Sequence, residues 1–83
     1  MQQIELTAAD AATARRFWHA YLQSHDVHDL TGQAVGIDPR SGRIWFGESA
    51  LEIVAQQEAE GPAAPLLFLR VGSPYYVRKG GHR

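Results

Sequence analysis

Gly32-Gln-Ala-Val-Gly-Ile-Asp-Pro-Arg-Ser-Gly-Arg-Ile-Trp-Phe46, then Ser49-Ala-Leu-Glu52 opening a run to Glu60, then Leu66-Leu-Phe-Leu-Arg-Val71: these three segments decide the fold. Gln33 to Ile37 and Arg43 to Phe46 carry β-branched and aromatic side chains on either side of Asp38-Pro39-Arg40-Ser41-Gly42. Asp at the first turn position, Pro with its φ preset at the second, and Gly where a positive φ is wanted predict a type I turn with a glycine-assisted exit, hence a hairpin. Strand alternation puts Val35, Ile37, Ile44 and Phe46 on one face, which is the expected core. Trp45 falls on the opposite face, over the small Ala34 and Gly36.

Ser49 to Glu52 reads as a capping box, the hydroxyl accepting from the amide three residues on and the carboxylate reaching back to the Ser amide. It predicts a helix over 50–60, with Leu51, Val54, Ala55 and Ala59 on one stripe and Ile53 at its margin. Gly61 is the expected stop and Pro62 forbids continuation. Leu66 to Val71 is apolar at all but Arg70, which predicts a strand in the sheet interior.

Upstream, Thr7-Ala-Ala-Asp10 is a second capping signal. Ala14, Phe17, Trp18, Tyr21 and Leu22 then recur at helical spacing, so a helix over 8–24 has one aromatic-rich face, expected to be core. Arg15, Arg16, His19 and Gln23 lie on its other face. The polar connector His25-Asp-Val-His-Asp29 follows. His25 and His28 could each ligate zinc or nickel, but without a placed third ligand they predict a solvated linker and no metal site. Asp29-Leu30-Thr31-Gly32 differs from the Asp-Ser/Thr-Gly loop of aspartic proteases by an inserted Leu, which separates the carboxylate from the hydroxyl that would hold it. Downstream, Gly72-Ser73-Pro74 is a turn signal before Tyr75-Tyr76-Val77, a short strand candidate.

The 83 residues predict one small domain over 1–83, with 80–83 a flexible tail. An apolar fraction of 45% with 20% charged residues is that of a folded chain. No cysteine is present, which excludes disulfide staples and thiolate metal sites. No apolar run approaches the roughly 18 residues that span a bilayer, and the amino terminus has no basic-then-apolar pattern, so a cytoplasmic protein without membrane contact is expected.

The predicted order is helix, strand, strand, helix, strand, short strand. It implies an α+β two-layer sandwich, with both helices on one face of a three- to four-stranded, mainly antiparallel sheet of order 2-1-3 and the tail strand at the far edge. A β-grasp-like arrangement, with the tail strand parallel to Gln33–Ile37, is the alternative. Either way one sheet face lacks a helix, and Trp45, Phe68 and Tyr76 would form an exposed aromatic patch there.

The chain resembles a small family of bacterial domains of unknown function built as helix, hairpin, helix, strand. The matching residues are Gly32, Val35, Gly36, Ile37 and Asp38, then Ser49, Leu51 and Ile53, then Leu67 to Val71. That resemblance implies the architecture and no chemistry.

No catalytic set, cofactor motif or anion hole is visible, so the leading expectation is a non-enzymatic module that binds a protein partner or dimerises through Trp45, Phe68 and Tyr76. Charge suggests an alternative. Residues 1–69 carry four Arg against nine Asp and Glu, whereas 70–83 carry Arg70, Arg78, Lys79 and Arg83 and no acid. With Tyr75 and Tyr76 interleaved, these residues could neutralise phosphates and stack on unpaired bases of a nucleic acid. A further alternative is a ubiquitin-like carrier ending at Gly80-Gly81.

Overall fold

The computed structural model describes residues 6–61 and 64–73. The chain runs through helix α1 (Ala8–Ser24), a single 3-10 turn (His28–Leu30), strands β1 (Ala34–Ile37) and β2 (Ile44–Gly47), helix α2 (Ala50–Glu60) and strand β3 (Leu67–Arg70). This is an α+β chain whose described strands form one antiparallel sheet in the order β2-β1-β3. No helix among the described residues is long and apolar enough to cross a membrane.

Both helices begin where their caps dictate. Thr7 accepts from the Asp10 amide at 3.0 Å, and the Asp10 carboxylate accepts from the Thr7 amide at 3.4 Å. At α2 the Ser49 hydroxyl accepts from the Glu52 amide at 3.3 Å. The Glu52 carboxylate, however, accepts from the amide of Glu48, at 2.6 Å, one residue beyond the expected Ser49. An orphan donor is satisfied at either position.

The hairpin turn is built by Asp38. Its carboxylate accepts from the Arg40 amide (2.8 Å) and the Ser41 hydroxyl (3.1 Å), and its carbonyl accepts from the Gly42 amide (2.8 Å). Gly42 takes a φ of 80°, which an L side chain rarely adopts. Phe17 of α1 lies directly over it, with ring carbons 3.1 and 3.2 Å from where a Cβ would stand. The turn sets the register: Val35 opposite Phe46, Gly36 opposite Trp45 and Ile37 opposite Ile44. On the other side of β1, Val35 pairs with Leu69 and Gly36 with Phe68.

Both faces of this sheet are covered, contrary to the expectation of two helices on one face. Ala14 and Trp18 of α1 join Val35, Ile37, Leu69 and Val71 in one buried cluster, with Tyr21, Ile44, Phe46 and Leu67 packed against it. Ile53 of α2 joins Ala34, Trp45 and Leu66 in a second cluster, with Phe68 packed against it. Alternation assigns these two sets to opposite faces, so the sheet lies between α1 and α2 as the middle of three layers. All four residues of β1 are buried. A central strand buried on both sides needs a covering element on each, and that requirement overrides the two-layer arrangement.

Small residues govern how closely α2 approaches. A Cβ on Gly36 would stand 2.8 Å from Ile53 Cγ2, and one on Gly47 would stand 2.6 Å from the Glu52 carboxylate. The face made by Ala34, Gly36 and Gly47 is therefore a shallow seat into which one β-branched side chain fits. Ile53 is completely buried, although the sequence stripe puts it at the margin. Gln57 is also buried and its side-chain amide donates to the Ala64 carbonyl, while Gln56 donates to the Phe46 carbonyl at 2.8 Å. The expected core stripe is turned outward instead: Leu51 is 80% exposed, Ala55 and Ala59 are exposed, and Val54 alone is half-buried.

The third strand is shorter than predicted, and β1 lies between β2 and β3 as the expected order 2-1-3 requires. After Arg70 the chain turns at Gly72 (φ 93°), where the Ser73 amide donates to the Arg70 carbonyl. The tail strand expected at Tyr75–Val77, the Gly80-Gly81 end and the 80–83 tail lie outside the described residues.

Candidate functional site

The aromatic patch expected on an open sheet face is not an open surface. Trp45 is 7% exposed beneath α2, and Phe68 is half-buried beside Ile53 and Leu66. The Arg43 guanidinium lies 4.8 Å from the Trp45 ring centroid and is held there by an ion pair with Glu60 at the end of α2. The indole Nε1 of Trp45 is buried with no hydrogen-bond partner among the described residues. Tyr76, the third residue of that patch, lies outside the described residues.

Arg70, expected as a phosphate contact, is 7% exposed and works inside the fold. Its Nη1 donates to the Gly32 carbonyl at 2.9 Å and to the Glu48 carbonyl at 3.3 Å, tying the start of β1 to the β2–α2 junction. A guanidinium engaged in this way satisfies buried carbonyls that would otherwise be orphaned, and phosphate would have to compete with them. Tyr75, Tyr76, Arg78, Lys79 and Arg83 lie outside the described residues.

The two connector histidines make different contacts. His25 stacks on Tyr21 with ring centroids 3.9 Å apart, and its Nδ1 lies 3.1 Å from the Tyr21 carbonyl. The same Nδ1 lies 3.0 Å from the Ser24 hydroxyl. His28 begins the 3-10 turn, its amide donating to Asp26. Among the described residues no group of three or more His, Asp or Glu side chains is placed to hold a metal ion.

Two surfaces stand out instead. The first is the outer face of α2. Leu51 is by far the most exposed large apolar side chain among the described residues; Leu22 follows at 41% and Phe17 at 37%. Ala55 and Ala59 continue from Leu51 at one-turn steps along the helix. Glu52 and Glu58 flank this strip, Glu48 lies just before it, and all three are exposed. The helix contains no Lys, Arg or His.

The second is a groove of about 400 Å³ on the opposite side of the molecule, between the second half of α1, the 3-10 turn and the end of β3. Its floor is apolar, built from Trp18, Leu22, Val27, Leu69 and Val71. Around the rim stand Arg15, His19 and His28, with the hydroxyl-bearing Thr31 and Ser73, and no described acidic residue lines it. Its volume lies within the range of pockets that accept small ligands or a few side chains of a partner.

Sequence reasoning missed the two surfaces for different reasons. Leu51 was counted as core because hydrophobic periodicity weighs Ala55 and Ala59 as apolar and Gln56 and Gln57 as polar. The glutamines face inward because each finds a backbone carbonyl. The groove was missed because its walls come from separate elements.

Neither protein-family models nor curated proteins nor solved structures match this chain. The resemblance to bacterial domains of unknown function therefore rests on the residues quoted for it.

Proposed function

We propose that the protein is a non-enzymatic interaction module that docks a protein partner through the outer face of α2. The observation that carries this reading is Leu51, 80% exposed where the other aliphatic side chains among the described residues are largely covered. An apolar strip with acidic flanks is the chemistry of a docking face for a cationic, amphipathic segment: apolar contact supplies affinity, and the flanking carboxylates favour basic partners over acidic ones. Leaving Leu51 outside contributes nothing to folding, which is consistent with a role in association.

A fluorescent amphipathic peptide, with Leu at helical spacing and Lys or Arg beside it, is the direct probe. Its anisotropy should rise on titration with the protein, and the rise should weaken with added salt. The same peptide with Glu in place of Lys and Arg should not bind, and Leu51→Glu should abolish binding of the basic one. Equal binding by the Leu51→Glu protein, or no binding by the wild type, would contradict the reading.

A further inference from the structure

We infer that Glu52 and Gln56 of α2 form a clasp that closes the outer edge of β2 against pairing with a second copy of this chain. In the described sheet β2 is an edge strand, and its backbone groups divide by direction. The Asp38 amide donates to the Arg43 carbonyl, and the register then pairs Gly36 with Trp45 and Ala34 with Gly47. Because bonding direction alternates along an antiparallel strand, Trp45 and Gly47 turn their amides and carbonyls toward β1. Those of Ile44 and Phe46, and the amide of Glu48 just beyond, point away from it along the free edge.

Two of these outward groups have partners, and both partners come from α2. The Phe46 carbonyl accepts from the Gln56 side-chain amide at 2.8 Å, and the Glu48 amide donates to the Glu52 carboxylate at 2.6 Å. Glu52 and Gln56 stand one turn apart on the helix, so one side chain offers an acceptor and the other a donor on either side of Gly47. A residue of an adjoining strand would offer the same two groups there. Gly47 makes the approach possible, since a Cβ on it would stand 2.6 Å from the Glu52 carboxylate oxygen and 3.3 Å from the Gln56 amide nitrogen.

Without the clasp this edge is complementary to itself. Two β2 edges laid antiparallel about Trp45 put Ile44 of each copy opposite Phe46 of the other, and each such pair exchanges hydrogen bonds through its outward amides and carbonyls. The contact is isologous and joins two sheets into one. It needs the Phe46 carbonyl of both copies, which the Gln56 amide holds, while the next donor along the edge, the Glu48 amide, is held by Glu52. What stays open is Ile44 and the Phe46 amide, a run shorter than an ordinary strand. Covering an edge in this way removes the template that a further strand would use.

Hydrogen exchange of the full chain, followed amide by amide in nuclear magnetic resonance, reads the clasp directly. The Glu48 amide should be protected in the wild type and in Glu52→Gln, whose side-chain oxygen still accepts, and should exchange faster by about tenfold or more in Glu52→Ala. In sedimentation velocity Glu52→Ala/Gln56→Met should associate at a concentration lower than the wild type requires by about tenfold or more, and its Ile44 and Phe46 amides should then gain protection. Gly47→Ala displaces the same two side chains from the strand side and should act similarly; it replaces the double variant if circular dichroism shows that one unfolded. Equal Glu48 exchange in the wild type and Glu52→Ala overturns the inference. So does a folded, unclasped variant that associates no more readily than the wild type, or one that associates with its Ile44 and Phe46 amides still unprotected.

Discussion

Replacing Ile53 and Leu51 by alanine, one at a time, separates the fold described above from the one hydrophobic periodicity suggests. Ile53 is completely buried, its γ2 methyl against Gly36. Truncating it removes three buried carbons worth about 0.8 kcal/mol each by transfer, and leaves a cavity that the rigid strand backbone cannot fill. The expected loss is about 3 kcal/mol, within the range of about 2–5 kcal/mol for such truncations. That is a large share of the whole, since a chain of this size is stabilised by about 0.05–0.15 kcal/mol per residue. Leu51, at 80% exposure, loses almost no burial on truncation, and Leu and Ala are both good helix formers. Its change should lie within about 0.5 kcal/mol of zero. Urea unfolding followed by tryptophan fluorescence reads both, because Trp18 of α1 is buried against one face of the sheet and Trp45 lies under α2 on the other, so each face carries a reporter. Melting temperatures should separate similarly, at about 4–8 °C per kcal/mol for a domain this small. A Leu51→Ala loss above about 1.5 kcal/mol, with Ile53→Ala nearly silent, would mean that the helix is rotated from the position described and would refute the reasoning.

Gly36→Ala should destabilise by about 1–2 kcal/mol, because overpacking against Ile53 outweighs the gain from restricting the unfolded chain. In an Ile53→Ala background the same substitution should cost less, since only the looser contacts with Leu66 and Phe68 remain, a non-additivity that a double-mutant cycle in urea would measure. Arg70→Leu should cost about 1–3 kcal/mol by orphaning the Gly32 and Glu48 carbonyls, read as a lower urea midpoint; an unchanged midpoint would mean those contacts contribute nothing.

Local chemistry was legible in the sequence, and its outcome is close to the reading. Thr7 and Ser49 mark the helix starts because a cap is satisfied within three residues, whatever the rest of the chain does. Asp38 and Gly42 mark the hairpin for the same reason. The core set Val35, Ile37, Ile44 and Phe46 followed from turn register and alternation, and the order β2-β1-β3 from the apolar composition of Leu66 to Val71.

Helix placement was less legible. Alternation says that Trp45 and Phe68 share the face opposite Val35, but not whether a helix lies over them. The clue was present in Gly36 and Gly47, which clear room for one, and in Ala34 to Ile37, apolar on both faces. The rotation of α2 turned on Gln56 and Gln57, whose hydrogen bonds reach the Phe46 and Ala64 carbonyls. Period counting has no means of scoring a polar side chain that finds a distant backbone acceptor. Arg70 escaped in the same way: it reads as a basic contact in the sequence, and its partners, Gly32 and Glu48, are brought beside it only by folding.

The placement of α2, and with it the identity of the docking face, is tested most directly by proton–proton contacts in solution. A nuclear Overhauser spectrum of methyl-labelled protein should show strong cross-peaks from the Ile53 γ2 methyl to the Gly36 α protons and to the Phe68 ring, with none from the Leu51 methyls to any sheet residue of the same chain. Cross-peaks joining Leu51 to Gly36 or Trp45 within one molecule would contradict the account, because the apolar strip assigned to a partner would then be part of the core.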